Sequence, residues 1–70
     1  MSEEKIVERA NHDLPYGRSL NIKDLSFESG MEILRLTIRE GKRFTIVDLD
    51  KESAEKICND ISNWIDEKTR

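Results

Sequence analysis

Two residues in this chain are of the types most often used as base, nucleophile or metal ligand near neutral pH: the single histidine, His12, and the single cysteine, Cys58. They lie far apart in sequence, and neither has a companion at motif spacing. His12 falls in a polar N-terminal stretch, without the rigid scaffold a general base needs. Cys58 falls at the margin of a helical apolar stripe with no cationic neighbour to lower its pKa, so it reads as a semi-buried packing thiol. Asp48, Asp50 and Glu52 form a small acidic cluster, but their spacing fits no calcium loop and Asp50 suits a helix cap better. The other carboxylates are scattered, with no dyad. The expectation is a non-enzymatic chain with no cofactor and no metal site.

Surface residues are more informative. Ile33, Arg35 and Thr37 alternate along one strand-like segment, and Arg43, Thr45 and Val47 along the next, with Arg39 and Lys42 at the tip between them. The six strand residues are expected on one outward sheet face, with the two tip residues beside it. Arginine and threonine there suit phosphates, and arginine also reads guanine bidentately. Ile33 and Val47 add an apolar patch, which suits a protein surface better. Trp64, near the end of the last helix, is expected to close the core over Leu20 or Phe27; left exposed, it becomes the best anchor for a partner.

The elements that carry these residues follow from periodicity. Leu34, Leu36 and Ile38 alternate with Ile33, Arg35 and Thr37, the period-2 signature of a half-buried strand. Phe44 and Ile46 alternate with Arg43, Thr45 and Val47. Arg39-Glu40-Gly41 has the length and glycine position of a three-residue hairpin loop. That loop puts Leu36 opposite Phe44 and Leu34 opposite Ile46, gathering the large apolar groups on one face. From Asp50 onward the period becomes helical. Asp50 is a good N-cap, Glu52 suits the dipole in the first turn, and Leu49 and Ala54 are placed as a hydrophobic staple. Ala54, Ile57, Cys58, Ile61, Trp64 and Ile65 form the apolar stripe, while Lys68 and Arg70 favour the C-terminal end.

Upstream, Leu20 and Ile22 share one parity and Leu25 and Phe27 the other, so a single strand over Arg18 to Glu28 needs a bulge near Lys23-Asp24 to put all four on one face. Ser29-Gly30 then closes a two-residue hairpin, with Leu25 opposite Leu34. Residues 1–16 read as a flexible N-terminal arm ending at the turn Asp13-Leu14-Pro15-Tyr16-Gly17, with Leu14 and Tyr16 folding back as a lid on the sheet edge. Residues 17–70 read as one domain. Its class is α+β: a three-stranded antiparallel β-meander followed by one C-terminal amphipathic helix packed on one face (βββα).

The chain has 70 residues, 39% of them charged, and a formal net charge of −3. No apolar run approaches the roughly 18 residues a membrane span needs. The N-terminus lacks the apolar stretch of a signal peptide. One cysteine makes no internal disulfide, which agrees with a reducing, cytoplasmic setting. The expected core is thin, so such a domain is marginal alone and gains from self-association.

The order of three strands and a helix, with Arg35, Thr37 and Arg43 outward, is similar in architecture to the plant ethylene-response-factor and phage-integrase N-terminal domains. That resemblance implies a sheet laid in a DNA groove. Against it, no outward aromatic is expected and the chain has no basic charge excess. The expected function is therefore protein contact, including self-pairing through the outer sheet face or a sheet edge. Nucleic-acid binding through Arg35, Arg39, Lys42 and Arg43 is the alternative, and no membrane partner is expected.

Overall fold

The structure, a computed structural model, describes residues 4–69. The first residues of the expected arm and the basic charge expected at Arg70 lie outside them. Four strands, β1 (Lys5–Leu14), β2 (Arg18–Ser26), β3 (Glu32–Glu40) and β4 (Arg43–Leu49), precede one helix, α1 (Lys51–Thr69). The strands form one antiparallel sheet in the order β1-β2-β3-β4. This is a small α+β protein with an antiparallel sheet and a C-terminal helix, but the sheet has four strands where three were expected.

The extra strand is the segment expected to be an arm. Lys5–Leu14 pairs with β2 along its whole length, from Lys5 opposite Ser26 to Leu14 opposite Arg18. A bulge at Arg9 lies between the pairs Glu8–Lys23 and Ala10–Ile22. It brings Val7 and Ala10, of opposite parity, to the same face, and so erases the alternation that marks a strand in sequence. Pro15-Tyr16-Gly17 closes this hairpin within the sheet rather than ending an arm. Tyr16 takes φ 66° and Gly17 φ 72°. The Tyr16 side chain is 92% exposed, so it forms no lid.

The expected bulge in β2 is absent: β2 pairs with β3 in unbroken register from Arg18–Glu40 to Ser26–Glu32. Leu20 and Ile22 therefore lie on one face and Leu25 on the other, opposite Ile33 rather than Leu34. The β2–β3 connection explains the shift. The Gly30 amide donates to the Phe27 carbonyl and the Phe27 amide to the Met31 carbonyl, each at 2.9 Å. With Gly30 at φ 93°, this is a three-residue loop with a glycine bulge. Between β3 and β4 the situation reverses. Glu40 pairs with Arg43, leaving a two-residue loop, Gly41-Lys42, with Gly41 at φ 61°. The register differs from the expected one by three residues, and an odd shift inverts every β4 side chain. Val47, not Phe44, lies opposite Leu36, and Leu49, not Ile46, lies opposite Leu34.

The sheet thus has an aliphatic face, carrying Leu20, Ile22, Leu34, Leu36, Ile38 and Val47. The opposite, mixed face carries Leu25, Ile33, Arg35, Thr37, Phe44 and Ile46. Against expectation, the helix does not pack over either. None of its residues is buried, and Ile57, Ile61, Trp64 and Ile65 are all exposed. A nine-residue strand spans about 30 Å and a 19-residue helix about 28 Å. The molecule is 50 Å long, so the helix projects beyond the sheet. Among the described residues, Leu25 is the one buried hydrophobic side chain, at 1% exposure.

The two-residue loop has a direct consequence. A Cβ at Gly41 meets no atom within 4 Å, so Gly41→Ala carries only the penalty of positive φ. We expect a loss of about 1 kcal/mol, read as a thermal midpoint lowered by about 4–8 °C in circular dichroism. An unchanged midpoint contradicts this turn.

Candidate interaction surface

The ladder divides the eight residues expected on the outward face and its hairpin tip. Ile33, Arg35, Thr37 and Arg39 share the mixed face, Lys42 occupies the hairpin tip, and Arg43, Thr45 and Val47 lie on the aliphatic face. The division follows from the two-residue loop. In exchange, Phe44 and Ile46 join Arg35 and Thr37, at 61% and 58% exposure. An outward aromatic is thus present after all. Sequence reasoning missed it by assuming that every large apolar group turns to one core.

Two arginines of the mixed face are already engaged. Arg35 lies directly opposite Asp48 and forks onto it, Nε to Oδ1 at 2.8 Å and Nη2 to Oδ2 at 3.0 Å. The bidentate, charge-assisted geometry is the strong form of this pair. Hydrogen bonding between the two side chains is the main cause of both pKa shifts, Arg35 upward and Asp48 below the usual carboxylate range. Arg39 donates from Nε to the Gly41 carbonyl at 3.1 Å, and its guanidinium sits 5.7 Å from the Phe44 ring centre. On the aliphatic side, Arg18 pairs with Glu40 at 2.8 Å, and Arg9 with Asp24 at 3.6 Å.

A shallow polar trough on the mixed face is lined by residues that include Glu8, Asn21, Lys23, Thr37 and Arg39. Asn21 donates to Glu8 Oε1 at 2.6 Å across it. The other recesses flank the helix start, where Leu34, Leu49 and Ala54 come together. Asp50 caps α1 by accepting the Ser53 amide on Oδ1 at 2.9 Å, and Ser53, through its side chain and then its backbone, holds that carboxyl low. The acidic cluster therefore divides between structural tasks: Asp48 on Arg35, Asp50 on the cap, and Glu52 paired with Lys56 at 3.4 Å.

His12 lies on β1 opposite Leu20, and Cys58 is exposed on α1 rather than semi-buried. Among the described residues, no group of three histidine, cysteine or acidic side chains is placed to hold a metal. No helix among them is long and apolar enough to cross a membrane. Trp64 is 59% exposed, so it does not close a core as expected over Leu20 or Phe27 but takes the exposed alternative.

Residues 3–67 match the profile of a family described as "Family of unknown function (DUF6967)", and the chain belongs to that family. No curated protein and no solved structure matches it.

The Arg35–Asp48 fork makes stability pH-dependent in a defined sense. Because the folded-state pKa of Asp48 is lowered, the pair stabilises fully above the ordinary carboxylate value of about 3.9. That contribution is lost as pH falls through the lowered value. Asp48→Asn should melt below the wild type at pH 7, with the gap closing as pH drops below about 4. A gap that stays constant from pH 7 to pH 2 contradicts the fork's role.

Proposed function

We propose that this member of the DUF6967 family is a non-enzymatic protein-interaction module, working through apolar surface that its own fold leaves uncovered. The observation that carries this reading is the imbalance of burial. Leu25 is buried, while Phe44, Ile46, Val47, Ile57, Ile61 and Trp64 are each at least 41% exposed. Large apolar side chains left open to solvent on the helix and on the sheet suit contact with another protein. Trp64 serves as its anchor, being the residue type most enriched at binding hot spots. The single thiol suits a reducing, cytoplasmic setting.

Charge supports the same choice over nucleic acid. The net charge is −3, and Arg35, Arg39 and Arg18 are occupied by Asp48, Gly41 with Phe44, and Glu40. Spending these arginines on a phosphate backbone means breaking the pairs first. In a mobility-shift assay with duplex DNA and single-stranded RNA at 50 mM salt, micromolar protein should produce no shift. A complex that forms there and dissolves by about 200 mM salt has the signature of phosphate contacts, and it defeats the protein-contact reading.

A further inference from the structure

We infer that the partner covering this apolar surface is a second copy of the chain. The helix of each protomer lies across the aliphatic sheet face of the other. The inference rests on the protein-contact reading above and supplies its occupant. The two surfaces are made for each other but held apart within one chain. Ile57, Ile61, Trp64 and Ile65 recur at helical spacing along α1 and are exposed. Leu20, Ile22, Leu36 and Ile38 lie side by side on the sheet and are half-buried, while the helix that could cover them has no buried residue. One residue, Asp50, separates β4 from α1, and its carboxylate is fixed on the Ser53 amide. A capped one-residue link leaves too little chain to turn the helix back over its own sheet. The sheet of a second molecule is under no such constraint. Exchanging an identical element between protomers is a low-cost route to a closed pair, and twofold symmetry completes both halves at once.

Dimensions agree. From Ile57 to Ile65 the stripe runs about 12 Å, close to the roughly 10 Å from β2 to β4. The chain exposes 6217 Å², whereas a compact monomer of its mass, 8.2 kDa, exposes about 4,500 Å². The excess, about 1,700 Å² per chain, gives an interface within the range of obligate homodimers, about 2,000–5,000 Å² in total. Its radius of gyration, 14.4 Å, likewise exceeds the approximately 11 Å expected for a compact chain of this length.

Sedimentation velocity of the full chain from 1 to 200 µM, with Trp64 emission recorded on the same samples, tests the inference. The expected result is a dimer of twice 8.2 kDa whose emission is blue-shifted and protected from acrylamide, and shifts to the red on dilution. Ile61→Asp, at a position 54% exposed in the single chain, should raise the dissociation constant about thirtyfold or more. If that variant loses its helical circular dichroism, the loss should track dissociation. A dimer in which Trp64 remains fully quenchable, as in pairing through the β4 edge, overturns the helix exchange. So does any assembly larger than two. A monomer at every concentration with Trp64 exposed overturns self-association but leaves contact with a different protein standing. A monomer with Trp64 shielded overturns both.

Discussion

Asp50 is the hinge of this architecture, because it is all the chain between the last strand and the helix. Its carboxylate accepts the Ser53 amide, and its carbonyl accepts the Ala54 amide at 3.0 Å. The first turn of α1 is therefore committed at the end of the sheet, where Ala54, Leu34 and Leu49 line one recess. Every residue from Ile57 onward follows the axis set there. A longer, glycine-bearing link would let the amphipathic helix cover the aliphatic face and make an ordinary two-layer α+β domain. With one capped residue, the helix leaves the sheet.

Everything unusual about the surface follows from that departure. A single sheet without a covering layer has two wet faces, and burying one leucine does little to offset the entropy of ordering the chain. The mixed face meets water with cross-strand pairs, Arg35 on Asp48 and Arg39 on Phe44. One edge is managed as well. β1 carries the Arg9 bulge and ends at Pro15, both features that discourage further strand pairing. The aliphatic face carries Arg18 on Glu40 and Arg9 on Asp24, but its leucines and isoleucines and the exposed helical stripe have no covering layer, and they are the parts of the molecule that call for a second surface.

The helix and the central strand were legible in the sequence because their signals are local. Leu34, Leu36 and Ile38 alternate without interruption, and the Asp50 cap precedes a regular 3.6-residue stripe. β1 was not legible, because its polar composition is weak in strand preference and the Arg9 bulge inverts its parity halfway along. The β3–β4 register was ambiguous for a different reason. Gly41 fits the closing position of a three-residue loop and the opening position of a two-residue loop equally well. Choosing between them by placing Phe44 and Ile46 in one core was the step that failed, since this chain divides its large apolar groups between both faces. That error assigned Arg43, Thr45 and Val47 to the face of Arg35 and Thr37, whereas the ladder puts them on the other one. Periodicity shows that the helix has an apolar side; it carries no information on whether the one-residue link lets that side reach its own sheet.

The claim that the helix cannot return to its own sheet is tested most directly by isotope-filtered NMR on a mixture of labelled and unlabelled chains. The account predicts contacts from the Trp64 indole to the Leu36 and Ile38 methyls that appear between labelled and unlabelled molecules and vanish on dilution. The same contacts found within a single chain at concentrations where it is monomeric would contradict it.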